Sequence, residues 1–117
     1  MHAIIDSMLG ALALRDIGYH FPDTDEKFKG ADSLVLLRET LKLIQNEGYC
    51  VINIDSNIVC QKPKLMNYIE DMRKNISQVL ELELNQISIK AKTNEKMDSI
   101  GNGVAISANA VCLVKKV

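Results

Sequence analysis

A helical apolar run from Ala3 to Leu14 is cut off by Asp16-Ile17-Gly18-Tyr19-His20-Phe21-Pro22-Asp23-Thr24-Asp25. Three aspartates, a glycine, a histidine and a proline within ten residues force a helix to stop and hand over to an acidic loop. Gly18 is the natural left-handed stop, and Pro22 forbids resumption of the same helix. Loops this dense in polar chemistry commonly bind ligands. The same residue types also serve as turn and cap residues, so Asp23 and Asp25 support both readings equally.

Upstream, Ile5, Met8, Leu9 and Leu12 recur at helical spacing, and His2 and Asp6 share a face of the first turn. Asp32 or Ser33 can cap a second helix over Ser33 to Glu47, with Leu34, Leu37, Leu41 and Ile44 buried and Gly48 as its stop. Tyr49 to Cys60 alternates as a strand. Ile52, Ile54, Ser56, Ile58 and Cys60 face one way, and Val51, Asn53, Asp55, Asn57 and Val59 the other. That second face is mixed in polarity and suits a subunit interface. A helix over Asn67 to Leu82, a strand over Gln86 to Lys92 and a strand over Gly103 to Lys115 follow. The last strand is apolar on both faces, which places it centrally in a sheet or under another subunit. The order of elements predicts one layered α/β (α+β) domain over residues 1–117, a mixed sheet with helices on one face.

Charge and motifs narrow the function. A net charge of -1 gives no bulk attraction for nucleic acid or an anionic membrane. No apolar run is long enough to span a bilayer. Cys50, Cys60 and Cys112 form no zinc-knuckle spacing and read as small strand residues of a reducing compartment such as the cytoplasm. No nucleophile–base pair, dinucleotide fingerprint or phosphate loop is present. Two strand ends do offer ligand chemistry: Gln61-Lys62-Pro63-Lys64-Leu65-Met66, and Thr93-Asn94-Glu95-Lys96. Lysines suit a phosphate, and a threonine hydroxyl beside a carboxylate suits a phosphate with its divalent metal. From the residues alone, the lysine segment reads first as a solvated loop, and the threonine segment reads at least as well as a plain turn.

Four stretches taken together resemble one family: His2-Ala3-Ile4-Ile5-Asp6-Ser7-Met8-Leu9-Gly10-Ala11; Asp16-Ile17-Gly18 with Phe21 to Asp25; Pro63-Lys64; and Lys90-Ala91-Lys92-Thr93-Asn94-Glu95-Lys96. In order and spacing they resemble the 2-C-methyl-D-erythritol 2,4-cyclodiphosphate synthases of non-mevalonate isoprenoid biosynthesis, along the whole chain. The resemblance implies a metal-assisted lyase whose substrate's own 2-phosphate attacks the β-phosphorus and expels CMP. It also implies a homotrimer, with sheets around the threefold axis and active sites between subunits.

By that resemblance, His2 corresponds to a zinc ligand, and Asp16 and Gly18 to ribose-binding positions, with Ile17 between them. Phe21, Pro22, Asp23, Thr24 and Asp25 line the methylerythritol pocket. Cys60, Gln61, Lys62, Pro63, Lys64, Leu65 and Met66 form the cytosine pocket. Thr93 steadies the diphosphate, with Ala91, Lys92 and Asn94 beside it, and Glu95 holds Mg2+ or Mn2+. Family chains carry further zinc ligands, an Asp-x-His pair, ahead of the His2 position, so the chain reads as an N-terminally shortened form. A plastid-type compartment is the alternative to the cytoplasm if a transit peptide was removed. The alternative function is a non-catalytic cytidine-nucleotide-binding trimer without the zinc site. Ser99, Asn102 and Val104 replace the aromatic, arginine and glutamate often found around a central isoprenoid-diphosphate cavity.

Overall fold

The computed structural model covers residues 1–117. Helix α1 spans His2–Ala11, α2 Ile17–His20 and α3 Ser33–Asn46; strand β1 is Tyr49–Val59. Helix α4 (Ile69–Leu80) leads into strand β2 (Ile87–Lys92), and the one-turn α5 (Asp98–Gly101) precedes strand β3 (Ser107–Lys116). The sheet order is β2-β1-β3. Strand β1 runs parallel to β2, from Ile54↔Ile87 to Val59↔Lys92, and antiparallel to β3. Helix α4 is the crossover that a parallel pair requires.

Helices α1, α3 and α4 pack on one sheet face. There Ile5, Met8, Leu9, Leu37, Ile44, Ile54, Ile76 and Ile87 are essentially inaccessible. Each such side chain stabilises the fold by about 1.5–3 kcal/mol through burial. Polar groups within this core are matched: the buried Thr40 hydroxyl donates to Leu36 O at 2.8 Å. Arg73 ties α4 to the sheet by donating to Ile87 O and Leu84 O. The opposite face is open, and Val111 and Leu113 are exposed on it at 72% and 55%.

Several sequence expectations shift. The first helix ends at Ala11, and the left-handed residues after it are Ala13 and Arg15. Gly18 is therefore no helix stop; it sits inside α2, whose N-cap is Asp16. The stretch expected to be a loop thus begins with a helical turn. On α3 the buried stripe is Leu36, Leu37, Thr40 and Ile44, with Leu34 and Leu41 only half-buried. Asp32 caps α3 through Leu34 N at 2.9 Å, and Gly48 follows it at φ 83°, as expected.

The strict alternation of β1 fails at one point. Val51 pairs with Val114 and Asn53 with Leu113, so Ile52 is an extra residue in a bulge. That puts both Val51 and Ile54 on the covered face. Ile52 O, set apart from the ladder, accepts from Gln86 Nε2 at 2.7 Å. Strand β3 is an edge strand, not a central one. Its outward residues have no cover within the chain.

Candidate active site

The predicted site residues gather in two clefts. The first opens beside the start of α1. It measures about 390 Å³ and brings His2 together with Ile17, Gly18, Phe21, Pro22 and Asp23. Two carboxylates shape it. Asp6 Oδ1 accepts from Ile17 N at 2.8 Å, and Asp16 Oδ1 accepts from Tyr19 N at 2.9 Å. These are backbone donors that a helix start leaves without intrahelical partners. Between them Gly18 N has no protein acceptor and faces solvent. His20 is occupied elsewhere: its Nε2 meets Leu14 O at 2.7 Å and closes the reversal after α1. Phe21 and Phe28 pack edge to face at 5.1 Å and floor the cleft.

Within the acidic stretch the aspartates divide. Asp25 Oδ1 accepts from Lys27 N at 3.0 Å, so Asp25 is built into a turn, and neither Asp25 nor Thr24 lines the cleft. Asp23 lines it and has no hydrogen-bond partner.

The second cleft lies where the parallel strands β1 and β2 end together. About 220 Å³ in volume, it joins Cys60, Gln61, Pro63, Lys64, Leu65 and Met66 to Ala91, Lys92 and Thr93. Cys60 N donates to Lys92 O at 2.9 Å, carrying the ladder one step past β1. The buried Cys60 thiol turns to Lys62 O at 2.8 Å and holds the loop's reversal. The Lys62–Pro63 peptide is cis. Lys64 is exposed and unpaired at the mouth. Thr93 Oγ1 is 3.5 Å from both Glu95 Oε1 and Glu95 N, leaving the hydroxyl and the carboxylate loosely engaged.

Some predicted residues point elsewhere. Lys62 lines an adjoining polar hollow instead of the second cleft. Asn94 donates to Met97 O at 3.2 Å, within its own turn. Two contributions escaped sequence reading. Asp6 grips Ile17 across eleven residues, a pairing no local pattern announces. Gln61 Oε1 accepts from Lys96 N at 3.2 Å, joining two loops that are distant in sequence. A third hollow of about 280 Å³ between helices and sheet is lined chiefly by apolar groups such as Ile4, Leu34, Met72 and Ile76. Its one carboxylate, Asp32, already caps α3, so this space offers no reactive chemistry.

No group of three or more His, Cys, Asp and Glu side chains comes together. A catalytic zinc needs three protein ligands and an open position, and His2 by itself does not fit that ion. Mg2+ takes one or two carboxylates plus substrate phosphates and water, and the exposed Glu95 beside Thr93 fits it. No helix is long and apolar enough to cross a membrane.

The fold and clefts define an α+β domain with one polar-edged cleft at a helix start and another at the ends of two parallel strands. The chain belongs to the YgbB family, whose model matches residues 1–115. It is similar to the 2-C-methyl-D-erythritol 2,4-cyclodiphosphate synthase of Brachyspira hyodysenteriae, 54% identical over 99% of this chain and 73% of that protein. The synthase of Clostridium botulinum is 55% identical over 99% of this chain and 74% of that protein.

Solved structures agree. The bifunctional IspDF of Campylobacter jejuni superposes with a TM-score of 0.94 at 37% identity, covering 99% of this chain and 31% of that one. The CDP complex of Plasmodium falciparum IspF gives 0.85 at 40% identity, covering 98% of this chain and 69% of that one.

Proposed function

We propose that this protein acts as a 2-C-methyl-D-erythritol 2,4-cyclodiphosphate synthase, a lyase of non-mevalonate isoprenoid biosynthesis. An oxygen of the substrate's 2-phosphate attacks the β-phosphorus of 4-diphosphocytidyl-2-C-methyl-D-erythritol 2-phosphate. The new P–O bond closes the ring as the bond from the β-phosphorus to the α-bridging oxygen breaks, and CMP leaves with that electron pair. The reaction asks no nucleophile of the protein, in keeping with a site that has none. Catalysis then rests on positioning and on charge stabilisation.

The observation that carries this reading is the second cleft, where the Cys60–Met66 loop meets Ala91, Lys92 and Thr93 in one pocket. Cytosine sits between Pro63, Lys64, Leu65 and Met66. Thr93 donates to the diphosphate as charge moves onto the leaving oxygen. Glu95 would hold Mg2+ or Mn2+, which would neutralise phosphate charge. Asp16 accepts from the ribose hydroxyls and the free Gly18 N–H donates to the same sugar. Phe21, Pro22 and Asp23 enclose the methylerythritol. His2 alone does not make up the three protein ligands of a catalytic zinc.

The two clefts share no lining residue, so one chain presents two half-sites. A homotrimer with sites between neighbours joins one copy's first cleft to the next copy's second. The uncovered sheet face, with Val111 and Leu113 exposed, supports that assembly. Three free cysteines suit a reducing compartment such as the cytoplasm. The test is CMP release from the cytidylylated substrate with divalent metal present. Metal-dependent CMP release is the expected result. Tight CDP binding without turnover would overturn the catalytic reading and leave a nucleotide-binding module.

A further inference from the structure

Gln61 stands between two hollows. On one side is the pocket formed with Cys60, Pro63 and Lys64; on the other is a polar hollow bounded by Lys62, Lys96 and Gly101. Its Oε1 accepts from Lys96 N at 3.2 Å, the one side-chain hydrogen bond between the 60–66 loop and the 93–97 turn. That turn is unusual in its backbone. Glu95 and Lys96 are consecutive non-glycine residues at φ 51° and 61°, a left-handed conformation that L residues adopt only when their surroundings impose it.

The surroundings do impose it. A Cβ on Gly101 would collide with the Lys96 carbonyl carbon and stand 2.6 Å from Lys96 Cα, so α5 lies directly on the Lys96 backbone. Met97 N donates to Asn94 O at 2.9 Å and Gly101 N to Met97 O at 2.8 Å, closing the turn from below. The Lys96 backbone is held at both ends, its N–H by the Gln61 side chain and its Cα and carbonyl by Gly101. Glu95 precedes Lys96 directly and Thr93 begins the same turn, so the hold on Lys96 bears on where their hydroxyl and carboxylate point.

We propose that Gln61 is a positioning residue that couples the nucleobase loop to the phosphate-facing turn. This rests on the cytidine diphosphate reading of the second cleft. A base seated against Pro63–Met66 fixes the loop that carries Gln61. Through Lys96 N, that fixes the direction in which Thr93 and Glu95 are presented to the diphosphate. Gln61 touches no reacting atom in this role; it acts through the Lys96 amide.

Gln61→Met keeps the side chain's size and removes the strong acceptor, whereas Gln61→Glu retains an acceptor oxygen. The readouts are the amide exchange rate of Lys96, CDP affinity, and kcat and KM for CMP release as Mg2+ is titrated. For Gln61→Met we expect faster Lys96 exchange, kcat lowered by about tenfold, KM within about twofold, and a higher Mg2+ requirement. Gln61→Glu should restore Lys96 protection and most of kcat. Gly101→Ala, which crowds the Lys96 Cα and carbonyl, should also accelerate Lys96 exchange.

Unchanged Lys96 exchange in Gln61→Met, or a raised KM with unchanged kcat, would overturn the proposal and reduce Gln61 to a base contact. The underlying reading fails separately. If CDP perturbs none of residues 60–66 in the unaltered protein, the cytidine assignment is wrong. If CDP binds there, CMP is released and Gln61→Met behaves as the parent, only the coupling is wrong.

Discussion

The cleft beside α1 and the pocket at the ends of β1 and β2 are shaped by different means. In the first, carboxylates already hold the backbone: Asp6 on Ile17 N and Asp16 on Tyr19 N. In the second, Lys64 is unpaired and Thr93 is only loosely engaged, at 3.5 Å, while the shape comes from the ladder and from Cys60. One cleft uses the same side chains for folding and for ligand, and the other separates the two tasks. Substitutions in the first should therefore disturb stability and binding together. Those of Lys64 and Thr93 in the second should disturb function alone.

The sharpest test of that separation is Thr93→Ala. Loss of a donor to developing charge should lower kcat for CMP release by about a hundredfold or more. Thr93 is exposed, and urea denaturation should find stability within about 0.5 kcal/mol of the parent. A large loss of stability would show that the strand-end pocket, too, relies on its ligand groups for folding.

Lys64→Ala should have the next largest effect. A charge-assisted hydrogen bond contributes about 1.5–3 kcal/mol, so CDP affinity measured calorimetrically should fall about tenfold or more. Because Lys64 makes no ion pair in the fold, its loss should leave the unfolding midpoint in place.

Asp16 tests the opposite half of the comparison. Asp16→Ala removes a helix N-cap and should cost about 1 kcal/mol of stability in addition to weakening CDP binding. Asn caps as well as Asp, so Asp16→Asn should keep the stability and isolate the binding loss. If Asp16→Ala weakens binding without touching stability, the dual role is wrong.

The same contrast explains what could be read from the chain. The two strand-end segments were legible as polar stretches that close each strand, while their meeting in one pocket follows from the parallel pairing that ends β1 and β2 together. Helix α3 was legible because Asp32 and Gly48 mark its ends locally. The reversal after α1 was not. Ala13 and Arg15, not the glycine, take the positive φ, and the contacts that accompany the reversal, His20 to Leu14 O and Asp6 to Ile17 N, are side-chain matches without a local signature. The bulge at Ile52 was equally hidden, since it exists only relative to a partner strand some sixty residues on. Apolarity on both faces of β3 suggested a central strand or one covered by another subunit, and within one chain β3 is an edge with one face bare.

The smallest expected effect lies just beyond the Thr93–Met97 turn, where Asp98 opens α5 at φ 54°. The Asn94 side-chain amide, then the Ile100 and Gly101 amides, hold its carboxyl below the ordinary value of 3.8. The unfolded chain then binds the proton more readily than the folded one, so the folded state is favoured as pH rises through this range. The contribution is complete above the unfolded value near 3.8 and is lost as pH falls through the lower folded value. Asp98 is fully exposed to solvent, so the effect should be local: faster amide exchange at Ile100 and Gly101 below that pH, with the core unaffected. Asp98→Asn tolerates the left-handed backbone and still offers an acceptor, but it does not titrate. Its exchange at these two amides should be flat across the same pH range. If the variant shows the parent's pH response, some other carboxylate holds the turn that presents Thr93 and Glu95.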